Sequence, residues 1–534
     1  MPDSSDAIGA PHHNFFTICA RDAPRGHTNA LDENTMSEIP PRMKRNLHII
    51  LPVALYLILR LPSLIEPQWY SDEAGYASTA WLTHAGYGLY VDAWNNKPPL
   101  LFGIYGLSEA LFGASEAGIH ALSILSGLAA IIAATWGMSR FFTTRAALWS
   151  GLAIAIIVGS PMLDGNLALP ESLLIGPVTV AMVWFLCSCT DAAARRPRAV
   201  TLACIGLLFA CGFLIQQTAI ADFASVVLWC LVRRRWRTML TVGGMFAITV
   251  AVVIVPFMLT SGAHNVWFAL VTSYIDYVND ALGDRLPAYL VRIIIVLAIV
   301  MVAWLFRNAK DDRLELARIW VAALLFTAIA AGYAYEHFLL PVSIPLVMLV
   351  TGLASRHHDH LLQRIRRPRV LIAGALFAAI TSAGGSLFVA GYRSAIWSVG
   401  YYANAISYVS GSISELDYDT YFDGLSYGEH EAEQWISTHN LIGVTAMLWT
   451  NLAWPLVDDD LLPPTRSGPL YVTLALEKGT AGIISRMNAT PPELILISPN
   501  GIENLNDIRA FIRSHPYQEV MDAHGIELYI RSGG

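Results

Sequence analysis

Two short segments decide the fold of this chain: Trp69-Tyr-Ser-Asp72-Glu73-Ala-Gly-Tyr76-Ala77 and Trp94-Asn-Asn-Lys97-Pro98-Pro99-Leu100. Both follow the first long apolar stretch of the sequence. Holding an ionisable side chain at full membrane depth costs roughly 2.5 to 3.5 kcal/mol on insertion scales, so charges at a membrane edge usually mark a site. A carboxylate pair and a lone lysine in this position indicate chemistry on a charged substrate that is carried by a lipid.

The composition of the whole chain predicts a membrane protein. Of its 534 residues, 55% are hydrophobic and 14% are charged, and the mean hydropathy is +0.48. An average globular protein carries about 25% charged residues. We therefore predict a polytopic α-helical membrane protein that contacts membrane lipids. The net charge of −7 does not orient such a protein, because orientation follows the Lys and Arg residues between spans, and it implies no nucleic-acid partner.

Three regions of the chain differ in composition. Residues 1–45 are largely polar and lack the apolar core of a signal peptide, so we predict a disordered cytoplasmic tail. Residues 46–395 carry the apolar runs and are predicted to form the transmembrane domain, with a first external loop at 66–116. Charges, prolines and turn residues then return, so residues 396–534 are predicted to form a soluble extracytoplasmic domain.

Apolar runs of about 17 to 25 residues predict about eleven membrane spans. These runs lie at 46–65, 117–139, 146–162, 170–189, 199–214, 217–232, 238–260, 289–306, 316–333, 337–354 and 370–392. Basic clusters such as Arg42/Lys44/Arg45 and Arg233/Arg234/Arg235 fall between alternate spans. Because basic loops are predicted to be cytoplasmic, the loops between them are predicted to be external.

The segment from Pro98 to Gly113 decides which loops are external. It is apolar, but it is only 16 residues long and contains Glu109. We predict a helix that lies in the outer interface or re-enters it, with its prolines in the first turn, where a missing N–H costs little. A short true crossing is the alternative. On the preferred topology Asp72, Glu73 and Lys97 share one boundary between water and lipid.

The soluble domain is predicted to be a small α/β unit. Apolar periodicity predicts helices at 429–440 and 504–515, strands at 444–450 and 491–498, and a closing pair of strands at 517–532. The acidic run Asp458-Asp459-Asp460 is typical of a solvated loop, so we predict no site there.

The order of the motifs resembles the first periplasmic loop of the integral-membrane glycosyltransferases called GT-C. The motifs are Asp-Glu-x-x-Tyr-Ala at 72–77, Gly-Tyr-Gly-Leu-Tyr at 86–90, Asn-Lys-Pro-Pro-Leu at 96–100 and Leu-Phe-Gly-Ala-Ser at 111–115. They are most similar to bacterial relatives of protein O-mannosyltransferases and of lipid A aminoarabinose transferases. The stretch 163–176 resembles the family's second acidic loop, 333–346 its aromatic-acid-histidine-aromatic loop, and 261–287 its other long external loop.

This resemblance implies an inverting hexosyl- or pentosyltransferase of the bacterial inner membrane. It would move a sugar from a polyprenyl-phosphate donor to a lipid, glycan or protein on the periplasmic side. A transporter or flippase of lipid-linked sugars is the alternative, since carriers are also polytopic bundles with few internal charges. Against a carrier, the charges concentrate on one predicted membrane face.

The carboxylate pair supplies the candidate catalytic residues. Displacing a lipid phosphate from an anomeric carbon needs a base on the attacking hydroxyl, and we predict Asp72 as that base, with Glu73 beside it. General-base assistance is typically worth about 10² to 10⁴ in rate. The alternative is a helix N-cap at Ser71 or Asp72, with Glu73 at the positive end of the helix dipole.

Cations opposite the base are candidates for the donor phosphate. Lys97 is a point charge suited to phosphate, and Pro98-Pro99 stiffens the backbone that carries it. A lysine snorkelling to lipid head groups needs no such ligand and is the alternative. The resemblance adds His337, which could instead cap the following helix.

The remaining candidates are predicted to bind substrate. Tyr76, Tyr90 and Trp94 could stack on a sugar, although an aromatic belt at a membrane interface has the same sequence pattern. Glu171 and Asp164 offer carboxylates from the second acidic loop, with Glu171 closer to the family pattern. Tyr335 and Glu336 flank His337 in the loop at 333–346.

No cofactor is required by these motifs, but carboxylates beside a phosphate suit Mg²⁺ or Mn²⁺. Asp72 and Glu171 are the candidate ligands for such a metal, with Glu73 also within the same motif. The resemblance implies a lysine near Gln216 in some relatives; if that lysine binds phosphate in them, this sequence lacks one contact with the donor. The cluster His357-His358-Asp359-His360 lies among basic neighbours and is predicted to be a loop that faces lipid head groups.

Overall fold

The computed structural model describes residues 41–190, 197–276, 311–330, 335–357, 385–498 and 505–532. The predicted tail up to residue 40, the predicted span 289–306 and the histidines at 358 and 360 lie outside these residues. The same holds for residues 277–287 of the long external loop and for 370–384 of the last predicted span.

Thirteen helices of the described residues build the membrane domain and its external edge. They are α1 (Pro41–Arg60), α2 (Ser71–His84), α3 (Pro99–Phe112), α4 (Glu116–Phe141), α5 (Thr144–Gly159), α6 (Pro170–Cys189), α7 (Ala199–Ile215), α8 (Ile220–Val232), α9 (Trp236–Phe257), α10 (Ala263–Trp267), α11 (Asp312–Ala330), α12 (Leu340–His357) and α13 (Gly385–Val409). Nine of the predicted spans coincide with a helix of this set. The chain is therefore a polytopic helical protein, as its apolar runs predict.

Five stretches among the described residues are long and apolar enough to cross a membrane. They are Asn46–Leu64, Glu116–Phe141, Pro170–Cys189, Trp236–Asp276 and Glu336–Ser355. Shorter apolar helices such as α5, α7 and α8 accompany them. Length and composition thus agree with a multi-pass protein.

The helix that begins at Trp236 corrects one expectation. Residues 261–276 were expected to belong to a long external loop, but they continue α9 as a helix with π-helical turns at Met258–Gly262 and Phe268–Thr272. The whole stretch has 41 residues, but Gly262 within it has φ 86° and ψ 132°, which are not helical angles. The regular helix is therefore interrupted close to the predicted end of the span at residue 260, and the residues after it form a further helical segment.

Helix α3 is short, as the segment from Pro98 to Gly113 predicts. Its 14 residues extend about 21 Å, less than the roughly 30 Å of the hydrocarbon core. Pro98 is the extended N-cap residue, Pro99 is the first helical residue, and the positive φ of Gly113 ends the helix. The prolines therefore lie where a missing N–H costs least.

Glycines allow the membrane helices to pack closely. A side chain at Gly206 of α7 would overlap the backbone carbonyl of Val242 in α9, and one at Gly176 of α6 would meet the backbone of Ser126 in α4. Small residues at helix crossings are the usual solution in membranes, where packing replaces the hydrophobic effect between helices. These glycines lie in two of the closely packed helix pairs of the domain, α4–α6 and α7–α9.

The C-terminal region forms the predicted small α/β domain. Its sheet has the order β1-β2-β4-β3, from β1 (Ala446–Trp449), β2 (Leu494–Ile497), β3 (Tyr517–Ala523) and β4 (Ile526–Arg531). Strands β1 and β2 are parallel, and the other two pairs are antiparallel. The sheet carries helices α14 (Glu415–Thr420), α15 (Ser426–Thr438), α16 (Pro455–Asp458), α17 (Leu470–Leu476), α18 (Thr480–Ala489) and α19 (Leu505–Ser514).

The sequence patterns find all four strands and two of these helices. Helix α15 matches the pattern at 429–440, and α19 matches the pattern at 504–515. Strands β1 and β2 are fully buried, which explains their continuous apolar runs. Helix α13 is continuous through residue 396, where the soluble domain is predicted to begin. The change from apolar to polar composition therefore occurs within a helix.

The acidic run Asp458–Asp460 is not the solvated loop that its composition predicts. Asp459 is buried and accepts a hydrogen bond of 2.8 Å from Ser437. Asp460 accepts a hydrogen bond of 2.9 Å from the indole N–H of Trp81 in α2. The run therefore lies in the contact between the C-terminal domain and the first external segment.

We predict that Gly206→Ala destabilises the protein by about 1 to 3 kcal/mol, because the added methyl group meets backbone rather than a movable side chain. Thermal unfolding in detergent measures the change. Gly244→Ala is the matched control, since a side chain at Gly244 of α9 has nothing within 4 Å. Equal unfolding temperatures for wild type and Gly206→Ala would contradict the close packing of α7 on α9.

Candidate active site

The first turn of α2 sends two adjacent carboxylates in different directions. Consecutive residues of an α-helix are rotated by about 100° about its axis, so neighbours do not share a face. The helix begins at Ser71, and Tyr70 is its N-cap residue, in an extended conformation without a side-chain cap. Asp72 is therefore not the N-cap, and its carboxylate is available for other contacts.

Glu73 is fully buried and holds α2 against its neighbours. Its Oε1 lies 3.0 Å from Nε2 of His120 in α4 and accepts a hydrogen bond from the backbone N–H of Ala168. Burial raises the pKa of Glu73, but the contacts with His120 and Ala168 outweigh it, so the pKa is lowered. Glu73 thus joins α2 to α4 and to the loop that precedes α6.

Asp72 is half-buried and has polar side chains around it. Its Oδ1 accepts a hydrogen bond of 3.2 Å from the hydroxyl of Tyr471 in α17. Burial raises the pKa of Asp72, and the nearby charges of Lys97 and His337 partly offset the rise. Asp72 therefore interacts electrostatically with Lys97 and His337, the two candidate phosphate ligands, and with Glu171.

Lys97 is carried by a backbone that several contacts hold in place. The hydroxyl of Tyr90 donates to the carbonyl of Lys97 at 3.0 Å, and Nε2 of Gln217 donates to the carbonyl of Asn96 at 2.6 Å. The same Nε2 lies 3.3 Å from the carbonyl of Leu270, in the continuation of α9. Lys97 is thus carried by a segment that Tyr90 and Gln217 hold in place just before α3.

His337 enters the same space from the turn before α12. Its Nδ1 lies 3.0 Å from Oδ2 of Asp164, the left-handed residue of the second acidic loop. The ring of Tyr335 stacks on the imidazole, with centroids 5.4 Å apart. Asp164 and Tyr335 thus orient His337, while Glu336 is the half-buried first residue of the turn.

Glu171 lies at the first turn of α6 and is buried. Its Oε1 accepts a hydrogen bond of 2.7 Å from Nε2 of Gln216. Gln216 thus orients a buried carboxylate. Asp72, His337 and Tyr274 all interact electrostatically with Glu171, so Glu171 belongs to the same polar cluster.

The three aromatic candidates have different surroundings. Tyr76 is buried beside Asp72, with its ring edge-on to that of Tyr105 at 5.8 Å. Tyr90 is buried, and its hydroxyl donates to the backbone carbonyl of Lys97. Trp94 is half-buried and tilted against Phe268 at 6.1 Å. Two of these rings therefore support the segment that carries the lysine.

A small pocket of about 20 Å³ adjoins Glu171 between α6, α8, α11 and α12. This is roughly the room that one water molecule needs. Glu171 and Asp222 are its acidic members. The rest of its lining is apolar or hydroxyl-bearing: Leu174, Thr218, Ala219, Leu324, Thr327, Ala328, Phe338, Pro341 and Val342.

Sequence reasoning missed several residues that complete the site. Tyr471 comes from the C-terminal domain, where no local pattern marks it. Glu66 is buried and accepts hydrogen bonds from Trp69, Asn166 and Tyr401. Its position directly after the first apolar span is the signal that could have identified it, because a carboxylate there needs partners.

Arg60 and His120 were also missed, since both lie at the ends of predicted spans. The buried guanidinium of Arg60 donates to the carbonyl of Gly165 and, at 2.6 Å, to the hydroxyl of Ser123. Buried arginine requires such partners. Together with Glu73, these side chains fix the loop before α6 against α1 and α4.

The sequence matches a known family over part of its length. A family model described as dolichyl-phosphate-mannose-protein mannosyltransferase matches residues 96–260, which include Lys97, Asp164 and Glu171. The undecaprenyl phosphate-alpha-4-amino-4-deoxy-L-arabinose arabinosyl transferase of Enterobacter sp. (strain 638) is 23% identical over 352 residues. That match covers 60% of this chain and 61% of the relative.

Two solved structures share the architecture. ArnT from Cupriavidus metallidurans bound to undecaprenyl phosphate has a TM-score of 0.59 at 17% identity, covering 92% of this chain and 99% of that one. Its apo structure has a TM-score of 0.56 at 16% identity, covering 91% and 98%. The chain is therefore a multi-pass membrane protein with the GT-C fold, similar to the membrane glycosyltransferases that its first external segment resembles.

Proposed function

We propose that this protein is a membrane glycosyltransferase that takes a sugar from a polyprenyl-phosphate donor, with Asp72 as general base. The observation that carries the proposal is the electrostatic interaction of the Asp72 carboxylate with Lys97 and His337, near the first residues of α2, α3 and α12. A base opposite two phosphate-binding cations is the arrangement that a single displacement requires. The names of the similar proteins, which are transferases of lipid-linked sugars, support the donor class.

The reaction proceeds by inversion in this proposal. An acceptor hydroxyl or amine attacks the anomeric carbon, and Asp72 takes its proton as the new bond forms. The bond between the anomeric carbon and the phosphate oxygen breaks, and both of its electrons leave with the polyprenyl phosphate. Lys97 and His337 stabilise that phosphate, while Asp164 orients the imidazole.

Glu73 affects the reaction in this proposal by fixing the position of Asp72. Its contacts with His120 and Ala168 hold the first turn of α2, and the turn fixes where Asp72 points. Catalytic groups gain from such support, because a shift of about 1 Å can cost about 10²-fold in rate. We therefore assign Glu73 as a positioning residue and Asp72 as the catalytic one.

The surroundings of the cations suit a donor that arrives from lipid. The apolar side chains beside Glu171 would lie against the start of the isoprenoid chain near the phosphate site. Glu171 and Tyr76 both interact electrostatically with Asp72, so they are the side chains expected to contact the sugar. We propose the periplasmic face of the bacterial inner membrane as the location and a lipid, glycan or protein as the acceptor.

A transporter of lipid-linked sugars is the second candidate. A carrier needs polar groups that become accessible from both faces in turn. The charged side chains described above instead gather at one end of the helices, together with a tyrosine from the soluble domain. This one-sided arrangement favours the transferase.

Substituting the base should abolish transfer and leave the fold intact. We predict that Asp72→Asn lowers transfer of a radiolabelled sugar from its polyprenyl-phosphate carrier by at least about 10²-fold. Purified protein, with membranes of a deletion strain as the source of acceptor, provides the assay. Lys97→Met should also lower transfer, through weaker stabilisation of the leaving phosphate.

Asp92→Asn serves as the control, because Asp92 is an exposed carboxylate of the same external segment. It should transfer at the wild-type rate. Transfer by Asp72→Asn at that rate would refute the assignment of the base. Movement of the donor across vesicles without product, equal in wild type and Asp72→Asn, would instead establish the carrier.

The pH dependence of transfer should report the hydrogen bond from Tyr471. Asp72 works deprotonated, and burial raises its pKa, so activity is lost as the pH falls through a value above that of an ordinary aspartate. Because the hydrogen bond from Tyr471 lowers this pKa, Tyr471→Phe should move the acid limb to higher pH by about 0.5 to 1 unit. Tyr529→Phe, which removes a hydroxyl elsewhere in the domain, is the control; identical limbs in both variants would contradict the contact.

A further inference from the structure

Three ligand-type side chains meet beneath the first turn of α2. Among the described residues, Glu73, Glu116 and His120 form the only group of three or more whose ligand atoms all lie within 4.8 Å of one another. All three side chains are buried. Asp72 and Glu171, which the sequence offered as metal ligands, do not belong to this cluster.

The hydrogen bonds of His120 prepare its ring for a cation. Nδ1 contacts the backbone carbonyl of Ser63, which can only accept, so Nδ1 carries a proton. In the neutral ring, Nε2 then presents a lone pair towards Oε1 of Glu73 at 3.0 Å. Two acceptors at this distance need a proton or a cation between them, and metal-binding histidines commonly donate their other N–H to a carbonyl.

Glu116 adds a second buried carboxylate whose negative charge needs a partner. Both oxygens of Glu116 are buried, and no hydrogen-bond donor of the described residues reaches either of them; the same is true of Oε2 of Glu73. The nearest cationic candidate, Nε2 of His120, lies 3.9 Å from Glu116 Oε1. The carboxyl groups of Glu73 and Glu116 are also close enough to share a proton. That proton and an imidazolium neutralise the two carboxylates, and a divalent cation bound to neutral His120 does so as well.

Two of the three separations in the cluster suit a single ion as they stand. Bonds from zinc to nitrogen and oxygen ligands are about 2.0 to 2.2 Å long, so two ligands of one ion can be up to about 4.4 Å apart. The separations of 3.0 Å and 3.9 Å from Nε2 of His120 lie within this limit. The oxygens of Glu73 and Glu116 lie within 4.8 Å of each other, so an ion needs to draw them together by at most about 0.4 Å. One imidazole and two carboxylates form a donor set that suits Zn²⁺.

We propose that Glu73, Glu116 and His120 bind a divalent transition-metal ion, with Zn²⁺ the best match, as a structural site. The ion joins α2 to α4 through Glu73, the residue that follows the proposed base, Asp72. Because the three ligands are buried, loss of the ion is expected to lower the unfolding temperature of the protein as well as its metal content. The inference does not require the transferase proposal.

The test measures zinc in protein purified without a metal-affinity step. Wild type should contain about one zinc ion per chain, and a strong chelator should lower its unfolding temperature in a way that Zn²⁺, but not Mg²⁺, reverses. Glu116→Gln and His120→Gln should weaken zinc binding by at least about 10- to 100-fold. Asp222→Asn, a buried carboxylate of α8 outside the cluster, should retain the metal.

Two results would overturn the site. One is wild-type protein that contains no zinc, takes up none on incubation with zinc chloride, and unfolds at the same temperature with and without chelator. The other is zinc bound equally by wild type and Glu116→Gln. If a variant does not fold, the chelator and zinc measurements on wild type decide alone, and a negative result there means that the three residues share protons instead.

Discussion

The site depends on the rotation between two consecutive residues at the start of α2. Glu73 turns inwards to His120 and to the N–H of Ala168, and this leaves Asp72 turned towards Lys97 and His337. A helix cannot direct both carboxylates to the same place, so one anchors and the other remains available. In the pair, Glu73 thus anchors the helix and Asp72 is left available for the proposed reaction.

The second constraint is that the soluble domain helps to form the membrane site. Tyr471 contacts Asp72, Asp460 binds the indole of Trp81, and the carbonyl of Arg466 accepts the backbone N–H of Trp94. Three contacts along one external segment hold the domain over it. Movement of this domain would change both access to Asp72 and the hydrogen bond that lowers its pKa.

Much of the fold follows from the sequence because apolar runs and strand patterns are local signals. The nine recovered helices, the four strands and the short α3 all depend on hydrophobicity and on the prolines at 98 and 99. The helix that continues to Asp276 was missed because its polar and aromatic residues resemble a loop. The acidic run at 458–460 was misjudged because its partners, Trp81 and Ser437, are distant in sequence.

The site residues likewise fall into those that a local sequence motif reveals and those that only tertiary contacts reveal. The motif order identified Asp72, Lys97 and His337, which the fold brings together. The residues that support them, such as Tyr471, Glu66 and His120, act through tertiary contacts that no local spacing reveals. Burial of a charge within a predicted span is the signal that was present for His120, and only the structure supplies its partners.

The most direct measurement of the central claim is an experimental structure of the protein with undecaprenyl phosphate bound. The account predicts phosphate density in contact with Lys97 and His337, with Asp72 across the space that a sugar would fill and Glu73 still on the N–H of Ala168. Phosphate bound away from both cations, or Glu73 rather than Asp72 facing it, would contradict the account.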